Sequence, residues 1–242
     1  MSIAVIVLNY NRKANVENRI LPSLLKEKCV STIIVAHGAK QNVFGVPDLQ
    51  DGEIKMIDKV WHVGDFSNND QYRCFRRWEL IYNLQKKDLL KEEYIFSQDD
   101  DLVFKNGEIA KLLNHTSKGK LLSGVFGRNI SNNTYNVKNF KGAVDIVIGR
   151  SILGKVSDIV VAVQQIKDLN IPTDSMMEDD ITLCFFILDN YQIDSKQHFS
   201  LPLQHNELPA PGAVSLRKNH LERRNRTLSY LMNLKTAKIA NT

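Results

Sequence analysis

The sequence predicts an α/β fold: a mixed, mostly parallel sheet flanked by helices. Three observations carry that expectation. Short apolar runs alternate along the chain with amphipathic helical patterns, the signature of strand–helix–strand units. The opening run "IAVIVL" reads as a strand buried in such a sheet rather than as a leader, because no basic stretch precedes it and it is too short to span a bilayer. The 242 residues, 43% of them hydrophobic, suffice for one sizeable core, so a single domain over 1–242 is the simplest division.

The elements follow in order. Residues 3–8 form the first strand and 14–28 a helix. "TIIVAH" (32–37) is the second strand, and a third lies within 52–60. Residues 70–87 make a long amphipathic helix with Phe75, Trp78 and Tyr82 on one side, capped by Asn69 or Asp70. "YIFSQ" (94–98) is a strand that runs into three aspartates. "LLSGVFG" (121–127) and "GAVDIVIG" (142–149) are further strands. Residues 151–168, 177–190 and 221–234 are helices. The stretch 206–219 holds Pro and Gly without periodicity, and a loop of that length is expected to act as a lid.

Charge and cysteine usage narrow the partners. The net charge of +5 suits an anionic ligand without selecting one. Cys29, Cys74 and Cys184 are far apart and form no metal-binding spacing, so buried free thiols in a reducing compartment are expected. Four N-x-S/T sequons, at Asn114, Asn129, Asn132 and Asn225, carry little weight without a secretion signal.

Four segments carry candidate chemistry. In "FSQDDDLVF", Asp99, Asp100 and Asp101 follow a strand whose carboxyl end is where such sheets bind ligands. Carboxylates there suit Mn²⁺ or Mg²⁺, which take oxygen ligands and substrate phosphates. A polar turn would also collect aspartates, but apolar triplets hem this one on both sides. In "SMMEDDITLCFFIL", Ile181, Cys184, Phe185 and Leu188 define a buried helix face, and Ser175 with Glu178 fits a capping box. Asp179 and Asp180 exceed what a capped helix needs; one of them is a candidate to face a reacting carbon or an incoming hydroxyl. Arg73, Arg76 and Arg77 fall at helical spacing and are read as one face able to hold a diphosphate. In "SLRKNHLERRNR", Arg217, Lys218 and His220 form a cationic segment able to fold over one; a solvated basic tail is the plainer reading.

Taken in order, these segments resemble a GT-A glycosyltransferase, and within that fold the exostosin-type (family 64) domain. The residues that carry the likeness are "VIVLNYNR", "NN" followed by arginine, "QDDDLVF", "EDDITLCF" and "GAVSLRKNHLERRNRTLSYLMN". The resemblance implies a nucleotide-binding half (1–105) ending in the DxD motif and an acceptor and catalytic half (106–242) closed by a basic lid and helix. It implies that Leu8, Asn9, Tyr10 and Arg12 hold the nucleotide's base and ribose, and that Asn69 and Arg73 assist. Asp99, Asp100 and Asp101 would carry the metal on the diphosphate, most directly through Asp101. Asp180, with Asp179, would lie beside the anomeric carbon. His220, with Arg217 or Arg224, would contact the diphosphate. The implied donor is a nucleotide-diphosphate sugar, a UDP-sugar, and the acceptor a glycan or glycoconjugate hydroxyl, with retention of configuration.

The membrane anchor and disulfides usual in that family have no counterpart here. The heparan-type substrate is therefore not carried over, and a soluble bacterial or viral enzyme, in the cytoplasm or host-cell cytoplasm, is the implication. A nucleotidyltransferase of similar fold would open with a glycine-rich loop, whereas this chain reads "LNYNRKAN" at that place. A nucleic-acid-binding protein would explain the basic charge, but no DNA- or RNA-binding module is present, so nucleic acid is not an expected partner.

Overall fold

The structure is a computed structural model that describes residues 1–191, 196–210 and 219–240. Its strands are β1 (Ile3–Asn9), β2 (Val30–His37), β3 (Ile54–Ile57), β4 (Val60–Gly64), β5 (Tyr94–Gln98), β6 (Leu102–Phe104), β7 (Leu122–Gly124), β8 (Gly127–Arg128), β9 (Ile130–Ser131), β10 (Thr134–Tyr135), β11 (Gly142–Val144), β12 (Ile146–Val147), β13 (Ser151–Lys155), β14 (His198–Ser200) and β15 (His205–Glu207). The helices begin with α1 (Lys13–Asn15), which passes through a π-helical turn at Val16–Ile20 into α2 (Leu21–Lys26). They continue with α3 (Phe66–Tyr72), α4 (Arg76–Lys86), α5 (Glu108–Thr116), α6 (Val156–Asp168), α7 (Thr173–Met176), α8 (Asp179–Asn190) and α9 (His220–Ala240).

Nine strands form one mixed sheet in the order β11-β14-β7-β13-β5-β1-β2-β4-β3. The middle of it, β5-β1-β2-β4, is parallel throughout. β13 is antiparallel to both β5 and β7. The pleat divides the core. Ile3, Val5 and Val7 of β1 pack on one side with Val16, Ile20 and Ile109, whereas Ala4 and Ile6 face the other with Trp78, Ile159 and Ile181. Two hydrophobic layers thus sandwich the sheet, as the sequence predicts for an α/β domain.

Chain order creates one special edge. From β1 the chain moves outward to β2 and β4, then returns to β5 on β1's other flank. The carboxyl ends of β1 and β5 therefore border a crevice at a topological switch point, where open α/β sheets bind ligands.

Several local expectations are corrected. The single strand expected within 52–60 is two, β3 and β4, reversed at Asp58 in the left-handed region (φ 52°). The helix expected over 70–87 starts earlier, with Asp65 at its N-cap, and breaks at Arg73, whose φ of 46° ends α3 before a 3₁₀ turn leads into α4. Residues 151–155 are the strand β13, and the helix begins only at Val156. The strands read at 121–127 and 142–149 each divide into two short ones. All three cysteines are free, but only Cys184 is fully buried. Of the expected lid, residues 211–218, with Arg217 and Lys218, lie outside the described residues.

Candidate active site at the carboxyl edge of the sheet

At the end of β1 the chain leaves the sheet and Arg12 turns back over the end of β5. Its Nη1 donates to the Asp100 carboxylate and lies 3.8 Å from Asp101 Oδ2. Asp101 Oδ1 accepts from Arg150 Nη2 at 3.1 Å. Arg150 Nη1 in turn donates to Glu207 of β15, the strand paired with β6. Asp99 Oδ1 accepts from Arg77 Nη2 at 2.9 Å. Each aspartate of the triplet therefore meets an arginine from a different segment. Burial pushes the Asp100 carboxyl up to about 6, and the neighbouring aspartates add to the shift. Burial raises Asp101 too, with Asp99 next in effect. Desolvated carboxylates crowded this way draw cations.

Arg77 ties this cluster to the second acidic segment. Its guanidinium is fully buried and donates to Ser97 Oγ (2.9 Å), the Gly149 carbonyl (2.7 Å), the Cys74 carbonyl (3.1 Å) and Asp99. Its Nε lies 3.3 Å from Asp179 Oδ2, which also accepts from Trp78 Nε1 at 2.8 Å. Burial opposes the charge on Arg77, but Asp99 and Asp179 outweigh it and hold the group protonated. Burial likewise raises the Asp179 carboxyl.

The N-terminus of α8 completes the site. Asp180 is 2% exposed. Its Oδ2 accepts from Arg224 Nη2 at 2.7 Å and from the Gly149 amide at 3.3 Å, and its Oδ1 from the Ile181 amide at 2.9 Å. Gly149 packs closely here: a Cβ on it would lie 3.3 Å from Asp179 Oδ1, which would have to give by a few tenths of an ångström. The capping box expected for Ser175 and Glu178 does not form. Glu178 is the N-cap residue, but its carboxylate turns to Arg224 Nη1 and Arg223 Nη2, both at 3.1 Å, from α9. Burial raises its pKa. Arg224 also stacks over the Tyr135 ring, 4.3 Å from its centroid. His220 is half-buried; burial and the nearby Arg224 and Arg223 push its imidazole below the usual range.

The remaining sequence candidates are placed as follows. Leu8 is half-buried at the end of β1, and Tyr10 is 44% exposed just beyond it. Asn9 is fully buried, with its amide nitrogen donating to the Asn42 carbonyl and to His37 Nδ1. That makes Nε2 of His37 the donor to His62 Nδ1 at 3.0 Å. Asn69 and Arg73 sit beyond β4 on the same edge, and neither side chain pairs with the aspartates. The shared arginine face is also corrected. Arg76 is buried against Asp65 and the Ala36 carbonyl, Arg77 is buried as above, and only Arg73 is exposed. Arg76 and Arg77 are successive helical residues about 100° apart, so they part toward two different acids.

Sequence reading missed Arg150, Glu207 and the Trp78–Asp179 bond. "IGR" at the end of the strand expected over 142–149 carries no local signal of an ion pair, and the Trp78 bond spans 101 positions.

Among the described residues, no group of three His, Cys, Asp or Glu side chains is gathered to hold a metal by itself. The donor set nevertheless fits a hard divalent cation that takes one or two carboxylates and completes its shell from substrate phosphates and water. Asp99, Asp100 and Asp101 are the carboxylates at the switch point that such a cation could take, each of them paired with an arginine in this structure. No helix among the described residues is long and apolar enough to cross a membrane. No protein-family model matches the chain, and no curated protein matches it either.

Proposed function

We propose that the chain is a GT-A glycosyltransferase that moves a sugar from a nucleotide-diphosphate sugar, a UDP-sugar, to a hydroxyl of a glycan or glycoconjugate, with retention. The observation that carries this reading is the bridge through Arg77. It joins Asp99 of the acidic triplet to Asp179 of the acidic helix start, at the edge where the chain reverses direction across the sheet. Glycosyl transfer is helped by a counter-cation on the departing diphosphate and by a group beside the reacting carbon, and two acidic stations side by side can serve both. A fully buried arginine with five partners fixes the spacing between them.

In this reading Asp101, with Asp99, holds Mn²⁺ or Mg²⁺, which supplies charge neutralisation for the departing diphosphate. Arg12 orients the phosphates by exchanging Asp100 for them. Leu8 and Tyr10 contact the base and ribose, and Asn9 fixes the main chain there through Asn42 and His37. Asn69 and Arg73 face the nucleotide from the neighbouring strand end. His220 donates a hydrogen bond to a phosphate oxygen, and Arg217 belongs to the same cationic segment. Asp180 stabilises positive charge developing at the anomeric carbon once the donor's sugar opens the contacts that now enclose its carboxylate, Arg224 and the Gly149 amide. Asp179, bound to Trp78 and Arg77, orients the first turn that carries Asp180.

Calorimetry tests this directly. The wild type is expected to bind UDP, or GDP, only with Mn²⁺, and Asp101→Ala to lose that metal-dependent binding while its circular dichroism is unchanged. Unchanged Mn²⁺-dependent affinity in Asp101→Ala would remove the metal site. A panel of nucleotide sugars, screened for slow Mn²⁺-dependent hydrolysis, identifies the donor.

A further inference from the structure

We propose that Arg150 is a diphosphate-binding residue that exchanges Asp101 for the phosphates of the donor. The inference rests on the glycosyltransferase reading and names a residue that reading does not use. Three observations support it.

The first is anchorage. Arg150 opens the turn into β13, and its carbonyl accepts the Asp99 amide at 3.1 Å. The preceding residue, Gly149, accepts from Arg77 and donates to Asp180. The backbone beneath Arg150 is therefore bolted to both acidic segments, and only its side chain is free to swing.

The second is accessibility. The Arg150 side chain is 30% exposed, against 2% for Arg77 and 6% for Arg224. Its guanidinium lies over the Phe126 ring, 4.9 Å from the centroid, a surface that supports a cation without binding it to one acceptor. Its outer nitrogen pairs with the exposed Glu207, a weak partner in water.

The third is charge. Arg150 Nη2 and a divalent cation compete for the same carboxylate of Asp101, because two cations on one oxygen repel. Once phosphate oxygens stand beside Asp101 they are the nearest anions to a planar fork suited to bind them in pairs. Arg12 meets Asp100 from the β1 side of β5 and Arg150 meets Asp101 from the β13 side, so the two arginines flank the crevice.

The test is calorimetry of Arg150→Gln and Arg150→Lys with Mn²⁺ alone, and with the better of UDP and GDP at saturating Mn²⁺. Arg150→Gln is expected to weaken nucleotide binding about tenfold or more. Arg150→Lys, which keeps the charge but loses the fork, falls between it and the wild type. Mn²⁺ alone binds Arg150→Gln as tightly as the wild type or tighter, since a competing cation is gone. Nucleotide affinity of Arg150→Gln within twofold of the wild type overturns the proposal. So does a parallel loss of Mn²⁺ binding, which would make Arg150 a prop for Asp101 alone. If the wild type binds neither nucleotide, the glycosyltransferase reading falls and this inference with it. If the wild type binds and the variant equals it, only the role of Arg150 falls.

Discussion

The two acidic stations are built from the same residue types yet differ in how they are enclosed. At the end of β5, Asp101 meets an arginine that is 30% exposed, and Arg150 leans on an exposed Glu207. At the start of α8, Asp180 and Glu178 meet Arg224 with side chains only 3%, 3% and 6% exposed. At the first station the aspartate is buried but its arginine reaches solvent, so the arginine can change partners. The second is a dry network in which each charge depends on the others. Mutations at the two stations should therefore fail in different ways: binding is lost at one, the fold at the other.

The largest expected effect breaks the dry station. Arg224→Ala leaves Glu178 and Asp180 buried without their shared cation, so urea unfolding should show a loss of about 3–5 kcal/mol. A loss below about 1 kcal/mol would mean that the cluster is as hydrated as the β5 end, and the contrast would disappear.

A middle-sized effect comes from a buried histidine under the same half of the sheet. His198 on β14 is fully buried, and burial lowers its pKa to about 4. The unfolded chain takes up a proton near pH 6.5 that the folded chain refuses, so stability is full above that pH and is lost as pH falls toward the folded value. At pH 5 the loss attributable to His198 is about 2 kcal/mol. Asp100 acts in the opposite sense. Its raised carboxyl, at about 6, takes up a proton more readily when folded and so adds stability as pH falls through that range. The measurement is therefore a difference: between pH 7 and pH 5, His198→Gln should lose about 2 kcal/mol less than the wild type. Equal losses would show that His198 is hydrated.

The smallest effect sharpens the comparison from the first station. Asp101→Ala should change unfolding free energy by no more than about 1 kcal/mol, because the arginine it leaves behind, Arg150, is 30% exposed and keeps Glu207 as a partner. A cost of several kcal/mol would mean that the triplet serves the fold as well as the ligand.

Much of the architecture was legible because it is local. Periodicity and apolar runs marked β1, β2, β5, α8 and α9, and "YIFSQ" and "LVF" match the observed strands on either side of the aspartates. The readings that failed were those in which a distant partner overrode a nearby one. Glu178 fits a capping box three residues after Ser175, but arginines more than forty positions away supply two full charges, and a carboxylate prefers them to one amide. Arg76 and Arg77 sit at helical spacing in a polar stretch, and nothing local says that Asp65 and Asp99 draw both inward. The helix expected over 151–168 begins five residues late, because "SILGK" is the strand β13. It is buried between β5 and β7, and a strand covered on both sides loses the polar beat that would mark it. Of the candidate site, the acids and the arginines Arg12, Arg77 and Arg224 were visible; which acid each arginine meets, and Arg150 altogether, were not.

The turn between β12 and β13 has a consequence for the length of the chain. Within two residues it hands an amide to Asp180, takes a donor from Arg77 and another from the Asp99 amide, and aims a guanidinium at Asp101. Adding or deleting one residue there would turn β13 over and misplace all four links together. The β9–β10 hairpin tip, Asn132 and Asn133, carries no such links, so sequence can grow there and the reactive edge keeps its shape.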